Sequence, residues 1–182
     1  ITLSPYIFKC YIKNLYNFLL CCHYLVVYNL EYLSVDLNPE KAMKVEDINN
    51  LSFKDDSFDI IFCSHVLEHI EDDRRAMHEI FRVLKNEGLA LILVPIQSKR
   101  NKTFEDLTIR TPEERLRVFG DREHLRLYGN DFKERLEGIG FRVSVIKPED
   151  FLTIEEIEKY ALAQNSIYLC RKNSFEFLVQ RI

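Results

Sequence analysis

The chain has 182 residues, of which 47% are apolar and 30% charged, and its formal net charge is −4. That length suits one domain with a core of its own, and the composition is that of a globular protein. A negative chain lacks the basic surface that phosphates demand, so no nucleic-acid partner is expected.

Residues 1–30 stand apart from the rest. They hold no glycine and no acidic residue. Their apolar stretch Leu15–Tyr28 is broken by Asn17 and His23, and falls short of the ~18 consecutive apolar residues of a membrane span. No small-residue cleavage site follows it, so neither a membrane segment nor a signal peptide is expected. The first residue is Ile1 rather than Met, which leads us to expect a piece of a longer sequence. We divide the chain into an atypical apolar lead, 1–30, and a domain, 31–182. The five cysteines, Cys10, Cys21, Cys22, Cys63 and Cys170, are odd in number and follow no zinc spacing. Reduced thiols in the cytoplasm are expected.

From Glu31 the pattern is regular. YLSVDL (Tyr32–Leu37) reads as a short strand ending near Asp36, and AMKVEDI (Ala42–Ile48) as a weaker one ending at Asp47. The polar turn KDDSFD leads into IIFCS (Ile60–Ser64), a continuous apolar run typical of a parallel strand buried on both faces. Asp72 or Asp73 can cap the next helix, which places Ala76, Ile80, Val83 and Leu84 on one face, with Met77 and Phe81 beside them. Lys85 is expected in its last turn, and Gly88 as its stop. LALILVPI (Leu89–Ile96) is the strongest strand in the chain.

The excursion Gln97–Gly129 is polar. Within it TPEERLRVF (Thr111–Phe119) reads as a short helix with Thr111 as cap and Pro112 at its first position. Asp131 and Glu134 have capping-box spacing ahead of a stripe of Phe132, Leu136 and Ile139, with Gly140 as the stop. RVSVI (Arg142–Ile146) alternates like an edge or antiparallel strand. TIEEIEKYAL (Thr153–Leu162) reads as a helix and SIYLCRK (Ser166–Lys172) as a last strand. Strand and helix alternate, which predicts an α/β fold with a mostly parallel sheet and helices on both faces. Ile60–Ser64 and Leu89–Ile96 should be adjacent.

In such sheets ligands bind at the carboxyl ends of the strands. Asp36, Asp47, Ser64 and His65 fall there. An ionised carboxylate has two acceptor oxygens, so Asp36 is placed to take the cis-diol of a ribose. Asp47 can take the exocyclic amine of an adenine while Ile48 packs on the ring. His65 is the candidate general base, because an imidazole exchanges protons near neutral pH. His124, Arg126 and Tyr128 cluster in the polar excursion and are the candidate substrate-binding residues. A loop this long is uncommon unless functional, so we expect it to fold over the cleft as a lid.

The stretch YLSVDLNP … KVEDINNLSFKDDSFDIIFCSHVLEHIEDDRRAMHEIFRVLKNEGLALILVPI resembles the class I methyltransferases, in particular the methyltransferase-11-type group. FGDREHLRLYGNDFKERLEGIGF (Phe119–Phe141) is similar to the tail of a bacterial subset of that group. The resemblance spans about Tyr32 to Lys172. It implies a Rossmann-like fold and S-adenosyl-L-methionine as cofactor. It also implies methyl transfer to an acceptor that the sequence does not name, a small molecule in our reading. It makes Asp36 the ribose-binding acid, Asp47 and Ile48 the adenine contacts, and Ser64 and His65 the lining of the methionine end. One departure stands out. The family's glycine-rich loop should precede Asp36 by about 20 residues, where backbone must approach the cofactor closely, and the first glycine of this chain is Gly88. The N-terminal part is therefore incomplete or atypical for the fold.

Two other readings stay open. The chain could be a non-catalytic methyltransferase-like remnant that serves as a binding module. His65-Val66-Leu67-Glu68-His69 also has the H-x-x-E-H pattern of an inverted zincin metalloprotease. That reading needs a continuous helix, and this segment follows a buried strand and closes on Glu71-Asp72-Asp73. No metal is therefore expected at His65 and His69.

Overall fold

The computed structural model describes residues 7–10, 32–150, 153–159 and 166–172. Its strands are β1 (Ile7–Cys10), β2 (Tyr32–Asp36), β3 (Lys44–Val45), β4 (Phe58–Ser64), β5 (Leu84–Leu93), β6 (Phe104–Glu105), β7 (Arg126–Leu127), β8 (Arg142–Ile146) and β9 (Ile167–Arg171). The helices are α1 (Asp73–Val83), α2 (Pro112–Phe119), α3 (Phe132–Glu137) and α4 (Ile154–Lys159). None of the described helices is long and apolar enough to cross a membrane.

Seven strands form one sheet in the order β3-β2-β1-β4-β5-β9-β8. From β3 to β5 neighbours run parallel, while β9 is antiparallel to both β5 and β8. The expected adjacency of the two apolar runs holds, with Ile60 opposite Leu89 and Ser64 opposite Leu93. The sheet also draws a strand from the segment read as an atypical lead. Ile7–Cys10 lies between β2 and β4. The stretch that should hold the glycine loop, and the end of the helix expected over Thr153–Leu162, lie outside the described residues.

The core explains why the apolar runs are continuous. Ile61, Cys63, Ala90 and Ile92 of the central strands are fully buried, as are Ala76, Met77, Ile80 and Val83 of α1. Burying each large aliphatic side chain stabilises the fold by about 1.5–3 kcal/mol. At the far edge, Arg142 and Ser144 of β8 are exposed while Val143 and Val145 pack against the core, which gives the alternation read from RVSVI.

Local signals work out unevenly. Asp72 caps α1, accepting from the Arg75 amide at 3.0 Å. Thr111 and Glu114 form a full capping box on α2, and Gly120 closes that helix in the left-handed region at φ 80°. Four expectations are corrected. Leu84 is already extended (φ −71°, ψ 135°), so α1 ends before Lys85, which instead pairs with Asp59 at 2.7 Å. Gly88 lies within β5, where the pairing with β4 shifts register. Asp131 gives α3 no side-chain cap, because its Oδ1 accepts from the amide and hydroxyl of Thr103 at 2.7 and 2.8 Å. Gly140 sits beyond α3, whose cap is Gly138.

Gly129 is where backbone comes closest. A β-carbon there would lie 2.6–2.9 Å from the carbonyl carbon and oxygen of Lys102 and the carbonyl oxygen of Arg100. Backbone atoms cannot step aside as a side-chain tip can. Gly129→Ala should therefore destabilise the fold by about 1–3 kcal/mol, the usual cost of overpacking. Urea denaturation checks this, and an unchanged midpoint would refute it.

Candidate active site

The carboxyl ends of β2, β3 and β4 open on one cleft. Val35, Asp36, Leu37, Glu46, Asp47, Ile48, His65, Val66, His69, Ile70 and Glu123 line it, and with its open mouth it measures ≈ 720 Å³. Its walls are largely aliphatic and its edges carry four carboxylates. The fold thus brings together Asp36, Asp47, Ile48 and His65 of the residues singled out from sequence.

Each is held by local geometry. The carboxylate of Asp36 accepts from the Asn38 amide at 2.8 Å through Oδ1, which fixes the turn after β2 and leaves a second oxygen for a ligand. Asp47 accepts from the Asn49 amide at 2.9 Å in the same way, and Ile48 beside it is buried. Ser64 is fully buried and its hydroxyl has no partner; it lies behind the lining rather than in it. His65 takes φ +55°, a left-handed conformation that is uncommon outside glycine and clusters at functional sites. Its amide stays tied to the Leu93 carbonyl at 2.9 Å, so the chain leaves β4 and turns sharply at once. Nδ1 of His65 lies 3.1 Å from Oε1 of Glu68, which is wholly buried.

That sharp turn also disposes of the helix the zincin reading requires. Leu67–His69 is a single 3₁₀ turn, so His65 and His69 do not stack one helical turn apart.

The excursion is not a loose lid. It contains β6, α2 and β7, with Phe119 buried beside Phe104. Glu123 borders the cleft, and the ring of His124 meets that of His69 at 4.8 Å. Arg126 and Tyr128 turn the other way, into the body of the domain, at 1% and 0% exposure. Arg126 donates to the carbonyls of Leu67, Ile70 and Glu71 and to Glu105. The Tyr128 hydroxyl donates to Asp73 at 2.7 Å. Arg135 also grips Asp73, at 2.6 and 2.9 Å. These two residues hold the turn under the cleft rather than facing it.

Sequence reasoning passed over Glu46, Val66, Ile70 and Glu123. Only their position beside Asp47, His65, His69 or His124 could have pointed to them. Glu46 is buried, which by itself raises a carboxyl pKa. Hydrogen bonds from Lys44 and from the hydroxyl and amide of Ser52 outweigh that and bring it below its ordinary value.

Comparison with known proteins agrees with this geometry. Residues 20–92 match the family described as the methyltransferase domain. The chain superposes on a S-adenosylmethionine-dependent methyltransferase of Archaeoglobus fulgidus with a TM-score of 0.61 at 17% identity, over 93% of this chain and 86% of that one. The chain carries a class I methyltransferase fold. The methyltransferase resemblance read from the sequence therefore holds in the three-dimensional arrangement as well. Another structure with this fold is the Bacillus subtilis protein YcgJ, with a TM-score of 0.58 at 16% identity, covering 94% of this chain and 93% of that one. In sequence, the chain is 48% identical to the same uncharacterized methyltransferase YcgJ over 24% of this chain and 17% of the relative. It is 38% identical to an uncharacterized protein of Methanocaldococcus jannaschii over 37% of this chain and 32% of the relative. The sequence matches thus span a third or less of those relatives' lengths.

Proposed function

We propose that the chain binds S-adenosyl-L-methionine in this cleft and directs its methyl group to a small-molecule acceptor at the His65 end. The observation that carries the reading is the convergence of Asp36, Asp47, Ile48 and His65 on one cleft at the strand ends. The residues suit the cofactor. Asp36 would hold the ribose diol, Asp47 the adenine amine, and Ile48 the ring face. The carboxylates of Asp36, Glu46, Asp47 and Glu123 around the cleft favour a cationic ligand by simple electrostatics. When bound, the cofactor supplies a sulfonium methyl open to in-line attack. The chain's own contribution is positioning, which can lower a barrier by ~7–11 kcal/mol. His65 is placed to hold or take the acceptor's proton, with Glu68 fixing its Nδ1. The buried, unpaired thiols Cys63 and Cys170 suit a reducing compartment, and we place the protein in the cytoplasm.

A second reading has its own observation. No glycine precedes Gly88, so no glycine in this sequence can provide the close backbone approach that the family uses before β2. A remnant that binds other ligands in this cleft fits that fact. Calorimetric titration of the full chain with S-adenosyl-L-methionine separates the two. Saturable micromolar binding is expected, and its absence would favour the remnant.

A further inference from the structure

We propose that Glu68, His69 and His124 form a binding site for one divalent transition metal of the zinc type. One ligand atom from each of these side chains falls within 4.8 Å of the other two. Zinc bonds of ~2.0–2.1 Å place tetrahedral ligands roughly 3.4 Å apart. The ligand atoms must therefore close by up to about 1.4 Å, which side-chain rotation supplies.

Two of the three side chains carry buried atoms that are poorly satisfied. Oε2 of Glu68 and both ring nitrogens of His69 are buried without a hydrogen-bond partner. A neutral imidazole has one donor and one acceptor, and an ionised carboxylate is costly to bury without a cation or donors. Glu68 and His69 thus each bring an unpartnered buried polar atom to the cluster that His124 completes. A metal ion satisfies the carboxylate and one imidazole nitrogen together.

The surroundings are built to hold such a site. Oε1 of Glu68 is taken by His65 at 3.1 Å and lies 4.0 Å from Nε2 of His69, which orients the carboxylate beside that ring, as outer partners do in metal sites. The Leu125 amide donates to the Glu68 carbonyl at 2.9 Å, and Arg126 clamps the carbonyls of Leu67 and Ile70. The segment bearing His124 is therefore pinned to the turn bearing Glu68 and His69. This ligand set differs from the zincin pattern, in which His65 would bind metal and Glu68 would act as a base. Two imidazoles and one carboxylate leave a fourth position open. Because His65 and His69 line the cleft, that position borders it and suits an oxygen or sulfur donor. The role of such a donor as methyl acceptor rests on the function proposed above; the metal site does not.

The test uses the full chain, stripped with chelator and titrated with zinc sulfate in competition with a chromophoric chelator, without S-adenosyl-L-methionine. One equivalent should bind. Glu68→Gln and His124→Ala should each weaken binding by at least about 100-fold, beyond the 10–100-fold typical of losing an outer partner. His124 lies half-buried on an irregular segment, so His124→Ala decides the matter if the Glu68 variant fails to fold. Cobalt(II) substituted for zinc should show four-coordinate absorption without thiolate charge transfer. Absence of stoichiometric zinc would mean that water satisfies these atoms. That result, unchanged affinity in His124→Ala, or a thiolate band pointing to the cysteines would each overturn the proposal.

Discussion

Arg126→Leu should lower the stability of the fold by about 3–5 kcal/mol, the cost of breaking a buried charge pair by removing one partner. The guanidinium is 1% exposed and donates to three carbonyls of residues 67–71, with Glu105 and Asp73 at 3.1 and 3.8 Å on its Nε side. Leucine matches part of its volume but none of its donors. Each orphaned carbonyl then costs on the order of 1–3 kcal/mol, less where water can enter. Arg126→Lys should recover little, because an ammonium cannot span the planar fork. Tyr128→Phe removes one donor from Asp73 and should cost only about 1.5–3 kcal/mol. Urea or guanidinium unfolding measures all three, and an Arg126→Leu loss below that of Tyr128→Phe would show that the clamp is not structural. The network also carries a pH signature. Burial alone would raise the Asp73 pKa, but hydrogen bonds from Arg135, the charge of Arg126 and the Tyr128 hydroxyl bring it below its ordinary value. A carboxyl with a lowered folded pKa stabilises the fold fully above its unfolded value of ~3.9 and loses that contribution as pH falls through the folded value. Stability in the parent should thus fall more steeply with acid below about pH 4 than in Asp73→Asn.

Asp36→Ala should weaken S-adenosyl-L-methionine binding by about 1.5–3 kcal/mol, roughly tenfold to a hundredfold, as expected for hydrogen bonds to a charged acceptor. The side chain lies at the end of β2 on the cleft wall, with one oxygen already fixed by Asn38. That bond holds the carboxylate in place before any ligand arrives, so little ordering cost offsets the gain. Asp36→Asn should lose less than the alanine variant, since its amide keeps one acceptor. Calorimetry on the three proteins decides this, and equal affinities would remove Asp36 from the site.

The fold was legible where apolar runs were long and their ends marked. IIFCS and LALIL became adjacent central strands, and Asp72 and Thr111 cap the helices they were expected to cap. The cleft was legible because the parallel strands put Asp36, Asp47 and His65 at one end of the sheet. The excursion misled because its charges look solvated in sequence. Their partners come from afar in the chain, as with Arg126 under Leu67 and Tyr128 on Asp73. No local pattern announces such pairing. The HVLEH segment was read against a continuous helix because it follows a buried strand, and it forms none. Its spacing suggests a helix, but the positive φ of His65 spends two residues on a turn and leaves only one 3₁₀ turn.

The place of β9 has a consequence for how the molecule is made. It sits between β5 and β8, although it follows both in sequence. A ribosome therefore delivers β8 before the strand that would join it to the sheet. Synthesis of the roughly 20 intervening residues takes on the order of 1–4 s at typical elongation rates. Throughout that interval the backbone of β8 has no ladder to enter, and the half-apolar face of RVSVI stays open to other chains. The nascent protein passes through a window in which its β3-to-β5 half can be complete while the other half waits. Chaperone capture, or a pause in translation placed there, would act on that window.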